Sequence, residues 1–247
     1  MSTSQSATLD LLRQNPDSMP RVAMDFDNTF FDSLRFFMEL FRQATGKRYT
    51  LQMFTDPRWW RTFGFVTEQQ EADFNKLYVN ALTDLISSDS FMPLKFEPHL
   101  LDKLAEVAHV DFVTAVPRPI ELLLGTLISR KFPTSRPGVI IVDSIESKVM
   151  LPYDFFIDDS PKVAALVQAH NRLRSSKAYY KRHLMPAMPY NASVEESYGV
   201  TRLDLAGDAV RLARKEALAW TAERRPVLDA PTPKAVGESP TKSYLKG

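Results

Sequence analysis

The chain has 247 residues, 44% of them hydrophobic and 25% charged, a composition that suits a globular core with room for a small inserted unit. Its 31 basic residues against 30 acidic ones leave a net charge of +1, which excludes the broad positive field that holds nucleic acid or an anionic membrane surface. Cysteine is absent, which excludes disulfides and thiolate metal sites and fits a reducing, cytoplasmic setting.

Residues 1–20 read as an N-terminal extension that lacks the basic start and long apolar run of a secretory signal. No apolar stretch approaches the ~20 residues needed to cross a bilayer, so no membrane partner is expected. The apolar run 22–24 stops abruptly at Asp25, as a buried strand does when it ends in a polar loop. Residues 31–96 then break the pattern. They are rich in aromatics, and Leu34, Phe37, Met38 and Phe41 recur at helical spacing. This segment, with Phe30 at its edge, is read as a small helical cap inserted after the first strand.

Past the insert, helices and strands alternate. A helix is expected over 100–108, with Leu101, Leu104, Ala105 and Ala108 on one face. A strand over 110–113 ends at Thr114, a helix follows over 120–128, and a strand over 139–142 ends at Asp143. A further strand over 154–157 ends at Asp158, and a helix over 162–173 has Pro161 near its first turn. Such alternation predicts an α/β fold with a doubly wound, mostly parallel sheet, made from 21–30 and 97–223. Ligands of such sheets bind at the carboxyl ends of the strands, where these polar residues lie. Pro226, Pro231, Pro233 and Pro240 mark 224–247 as a tail expected to be disordered. Asn191-Ala192-Ser193 fits a glycosylation sequon and is taken as coincidence.

Four pieces carry potential chemistry. Asp25-Phe26-Asp27-Asn28-Thr29 places two carboxylates two residues apart after a strand, so that one can attack an electrophile while the other handles protons. An acidic turn is the plain alternative. Thr114 and the backbone N–H of Ala115 offer donors to a phosphate oxygen, although Thr114 also suits a turn or helix cap. Lys148 can neutralise a transferring phosphoryl group, or can be a solvated surface lysine. Asp158-Asp159 follow the apolar run Phe155-Phe156-Ile157; adjacent buried carboxylates call for a partner or a hard cation such as Mg²⁺, and a helix cap before Ser160-Pro161 is compatible with that.

The order D-x-D-x-T, then Thr, then Lys, then Asp-Asp resembles the four-motif pattern of the haloacid dehalogenase (HAD) superfamily, over roughly 21–191. Two-component receiver domains share Asp, Thr and Lys but place the paired acids first. Asp27 points to a phosphatase, because dehalogenases of the superfamily lack that second acid. Residues 148–159 also resemble the lysine-to-aspartate stretch of the 5′(3′)-deoxyribonucleotidases. Trp59-Trp60 and Phe91 resemble cap aromatics of that family, and Met188-Pro189-Tyr190-Asn191 resembles a loop of its bacterial relatives. The chain departs from the family at Asn28, where glycine is frequent, and at Ser33, near the place of an aromatic residue.

The resemblance implies a Mg²⁺-dependent phosphomonoesterase. Asp25 would be the nucleophile and Asp27 the general acid and base. Asp25, the Asp27 carbonyl and Asp159, with Asp158 behind, would hold the metal. Thr114, Ala115 and Lys148 would bind phosphate, and Trp59, Trp60, Phe91 and Arg118 would meet the substrate. The expected substrate is a (deoxy)nucleoside monophosphate, with a sugar phosphate or other small metabolite as the alternative. An inactive HAD-like scaffold is the reading from another class, and a homodimer is compatible with either. The four histidines show no ligand spacing, and no Walker or G-x-G-x-x-G loop occurs.

Overall fold

The computed structural model describes residues 19–88, 92–115, 120–174 and 180–228, with side chains to residue 220. Among them six strands form one parallel sheet: β1 (Arg21–Met24), β2 (His109–Thr114), β3 (Gly138–Ile141), β4 (Phe155–Ile157), β5 (Arg182–Pro186) and β6 (Val200–Leu203). Their order is β3-β2-β1-β4-β5-β6. The chain therefore runs one way across the sheet from β1, then returns and continues the other way from β4. Between β1 and β4 lies the switch point at which α/β sheets open a crevice.

Seven α-helices accompany the strands among the described residues: α1 (Ser33–Thr45), α2 (Glu68–Ser87), α3 (Pro98–Ala105), α4 (Glu121–Lys131), α5 (Ile145–Met150), α6 (Pro161–Arg172) and α7 (Ala206–Leu228). Alternate strand residues explain how both sheet faces are covered. Val22, Met24, Phe112, Phe155, Ile157 and Leu184 pack with Leu101 and Leu104 of α3, Leu124 of α4 and Ala213 of α7. Ala23, Val113, Phe156 and Met185 face the opposite way, onto Val149 of α5 and Val163, Ala164 and Val167 of α6. The expected α/β sheet is thus present and is wholly parallel, with β5 and β6 added beyond the strands expected.

Helices α1 and α2 and two short 3-10 turns, Leu51–Met53 and Trp59–Phe63, make up most of the segment between β1 and α3. Thr67 starts α2 with a capping box to Gln70, and α1 stops at Gly46, whose φ of 72° suits glycine. The two helices meet through aromatic rings. Phe37 of α1 packs on Phe74, Tyr78 and Trp59, and Phe41 stacks on Phe63 at 4.4 Å. Phe30 does not join this cluster: its ring packs on Phe112 and Phe132, under the sheet's own helices.

The ends of the insert are tied together. Asp32 N–H donates to Pro93 O at 2.9 Å, Lys95 N–H donates to Phe30 O at 2.9 Å, and the Lys95 ammonium pairs with Asp32 at 3.2 Å. The helical unit therefore leaves and re-enters the core through one narrow neck. Among the described residues no helix is long and apolar enough to cross a membrane.

Candidate active site

A cavity of about 590 Å³ opens at the switch point, between the strand ends and the helical insert. Asp25, Asp27, Thr114, Ala115, Lys148, Asp158 and Asp159 line one side, and Trp59, Trp60, Phe74 and Tyr78 line the other. Of the residues singled out from sequence, only Phe91 and Arg118 are missing from this group, and both lie outside the described residues. Asp143 ends β3 but does not line the cavity.

Asp25 is placed by the sheet itself: its N–H continues the ladder to Ile157 O at 2.9 Å. Lys148 is placed by α5, a single short helix that Ser144 caps by accepting from Ser147 N–H. The lysine is 2% exposed and not solvated, and its ammonium lies 2.6 Å from Asp25 Oδ1 and 2.5 Å from Asp158 Oδ2. The other Asp158 oxygen accepts from Ser160 N–H at 2.8 Å, so both oxygens of that carboxylate are engaged. Ser160, and neither aspartate, caps α6 by accepting from Lys162 and Val163 N–H, so the helix cap expected at Asp158-Asp159 lies one residue later.

Asp159 is held differently. The Tyr190 hydroxyl donates to its Oδ2, and Asn191 donates to its backbone carbonyl at 2.9 Å. Asn28 supports the same network. Its φ of 54° turns the chain sharply after Asp27, a conformation asparagine tolerates better than most residues. Its Oδ1 accepts from Leu34 N–H at 2.9 Å and from the Ser33 hydroxyl at 3.1 Å. That closed turn accounts for a non-glycine residue at position 28 and for a small hydroxyl at position 33.

Ligand oxygens of Asp25, Asp158 and Asp159 all lie within 4.8 Å of one another. With Asp27 they make four carboxylates at one crevice, and among the described residues Lys148 pairs with two of them, Asp25 and Asp158, an arrangement costly to charge without a further cation. Burial, opposed by Lys148, pushes Asp25 up to about 7, and burial raises Asp27 to about 6 against a hydrogen bond from Tyr78. Burial, with the charges of Asp25 and Asp158, raises Asp159 well above the usual carboxylate range. Lys148 shifts upward despite its burial, because Asp158 and Asp25 favour its charged form. An all-oxygen, carboxylate-rich donor set of this kind fits a hard divalent cation.

Three contacts were not foreseen from sequence. The Tyr78 hydroxyl on α2 donates to Asp27 Oδ1 at 2.7 Å. Tyr190 reaches Asp159 from the turn after β5. Buried His183 faces the Asp158 carbonyl through Nε2 at 2.7 Å, and burial holds its pKa below the usual imidazole value. A signal for Tyr78 exists in the sequence: it continues the apolar stripe Phe74, Tyr78, Leu82, Leu85, and a buried tyrosine hydroxyl needs a partner.

The two tryptophans differ. Trp59 is 5% exposed and packs edge-on to Phe74 and Phe63, as part of the insert's own core. Trp60 is less buried and stacks on Phe74 at 5.9 Å. Its indole N–H is buried without a hydrogen-bond partner among the described residues.

No protein-family model matches this chain, and no curated protein matches it in sequence.

Proposed function

We propose that this protein is a Mg²⁺-dependent phosphomonoesterase of HAD type that works through an aspartyl-phosphate on Asp25, with a (deoxy)nucleoside monophosphate as its substrate. The observation that carries this reading is the bridge from Lys148 to Asp25 and Asp158 at the floor of a capped crevice at the sheet's switch point.

Asp25 and Asp159 are the residues that would hold Mg²⁺ directly, with the Asp27 backbone carbonyl, because both Asp158 oxygens are already engaged. Bound there, Mg²⁺ supplies the positive charge that lets an anionic carboxylate approach an anionic phosphate. Lys148, the Thr114 hydroxyl and the Ala115 N–H are placed to bind the phosphoryl oxygens. An Asp25 oxygen forms a bond to phosphorus as the bond from phosphorus to the leaving oxygen breaks. The Asp27 carboxyl gives its proton to that leaving oxygen. A water molecule then adds to phosphorus, passes a proton to Asp27 and frees the Asp25 carboxylate. The products are an alcohol and inorganic phosphate, and both carboxyl groups return to their starting state. A pKa near 6 lets Asp27 hold that proton at near-neutral pH.

The cavity volume is within the usual range for a small organic ligand. The Trp60 ring lines the cavity and offers a surface for a base.

Phosphate release from nucleoside monophosphates and sugar phosphates, with Mg²⁺, with EDTA and with Asp25→Asn, tests the proposal. Release that needs Mg²⁺ and falls at least ~10³-fold in Asp25→Asn supports it. Activity that survives Asp25→Asn removes the covalent mechanism, and preference for sugar phosphates removes the nucleotide assignment.

A further inference from the structure

The insert supplies a contact to the acid–base residue itself. Tyr78 is 3% exposed on α2, its ring is stacked on Phe37 at 5.6 Å and 14°, and Phe74 packs one turn before it. The ring is therefore clamped by two side chains of the insert, which holds its hydroxyl oxygen beside Asp27. The acceptor is Asp27 Oδ1, at 2.7 Å, across 51 residues of sequence. Asp27 stands in the loop that leaves β1, so the contact joins the insert to the core at the reacting centre.

We infer that Tyr78 is a positioning residue that fixes which oxygen of Asp27 carries the transferable proton. This rests on the phosphomonoesterase reading above. The Tyr78 hydrogen bond occupies Oδ1 and so favours the proton on Oδ2, and Ser33 is the other side chain within hydrogen-bonding reach of this carboxyl. With the Asp27 side chain held at Oδ1, Oδ2 is the oxygen presented to the leaving group in the first step and to water in the second. Seating of the helical insert on the core thereby becomes a condition for proton transfer.

Leaving-group dependence separates this role from packing. An alkyl phosphate such as a nucleoside 5′-monophosphate expels a basic alkoxide and needs a proton, whereas p-nitrophenyl phosphate expels a stable phenolate and needs little help. The quantity to read is kcat/KM, which reports steps up to the first irreversible one and so leaves out hydrolysis of the aspartyl-phosphate. Tyr78→Phe keeps the ring and removes the hydroxyl. It is expected to raise the aryl-to-alkyl ratio of kcat/KM about tenfold or more, in the direction of Asp27→Asn and by a smaller amount. Equal loss on both esters shows a packing role only and overturns the inference, as does no change in either. Should Tyr78→Phe fold poorly, ring-fluorinated tyrosine at position 78 keeps the ring and strengthens the donor; a ratio that it leaves unmoved also overturns the inference. A wild-type protein that releases phosphate from neither ester removes the enzymatic reading and this inference with it. Release by wild type with an unmoved ratio removes the Tyr78 assignment alone.

Discussion

The ammonium of Lys148 lies 2.6 Å from Oδ1 of Asp25, although 123 residues separate them in sequence. Asp158 Oδ2 lies as close to the same ammonium, at 2.5 Å, so the lysine bridges two carboxylates. The lysine is surrounded by core side chains, and burial raises the aspartate while the lysine opposes that rise. Charge beside Asp25 is supplied by the lysine, and its position by the sheet.

Removing that ammonium leaves Asp25 and Asp158 facing each other in a buried site. Lys148→Met is expected to destabilise the metal-free fold by about 3–5 kcal/mol. Urea denaturation in EDTA reads this directly. Added Mg²⁺ is expected to restore part of the loss, and phosphate release is expected to fall at least ~10²-fold even in Mg²⁺.

The pH dependence of stability should differ with and without metal. Asp25, at about 7, and Asp27, at about 6, hold their protons more tightly in the fold than at the ordinary value of 3.8. The folded state then binds more protons than the unfolded one across this interval. Their contribution is fully present below 3.8 and is lost as pH rises through about 7. In EDTA, Tm should decline between pH 5 and pH 8. The gain in Tm on adding Mg²⁺ should grow over the same range, because the metal needs ionised ligands. A flat difference between the two curves would contradict the metal assignment.

Asn191 holds the turn that carries Tyr190. Its amide donates to Asp159 O at 2.9 Å and Pro186 O at 2.8 Å, and its Oδ1 accepts from Met188 N–H at 2.9 Å. Asn191→Ala strands these buried groups and is expected to cost about 1–3 kcal/mol in thermal denaturation. It should also weaken Mg²⁺ binding about 10–100-fold by calorimetric titration, since Asp159 loses its support.

The two tryptophans should separate stability from recognition. Trp59→Ala opens the insert's core and is expected to cost about 3–5 kcal/mol. Trp60→Ala should cost less stability and raise KM for nucleoside monophosphates about tenfold, while KM for a small phosphate ester without a base stays put. Equal KM values for wild type and Trp60→Ala on every nucleotide would end the stacking assignment.

The stops at Asp25, Thr114 and Asp158 were enough to place three strand ends from sequence, because strands covered on both faces favour apolar side chains; Asp111, inside β2, is tolerated where the Tyr153 hydroxyl donates to it at 2.7 Å. Helical spacing in 34–41 likewise marked the insert, which packs as α1 and α2. Strands β5 and β6 were illegible. Arg182-His183-Leu184-Met185-Pro186 mixes charge with apolar residues, and Arg182 belongs there only because Glu216 of α7 pairs with it at 2.7 Å. Helix α5 is only six residues long, too short to show a period, yet it decides that Lys148 points inward.

Sequence alone determined which residue types stand at the strand ends, and hence that carboxylates and a hydroxyl share one crevice, and it left open whether Lys148 joins them. It did so because a strand's length and burial are local consequences of side-chain polarity. Only the tertiary structure decided who partners whom. Strand order brings β1 beside β4, so Lys148 meets Asp25 and Asp158 together. The return of the insert through its neck sets Tyr78 on Asp27, and the turn after β5 sets Tyr190 on Asp159. Those pairings depend on distances between segments far apart in the chain, which packing of the whole core fixes and no local pattern encodes.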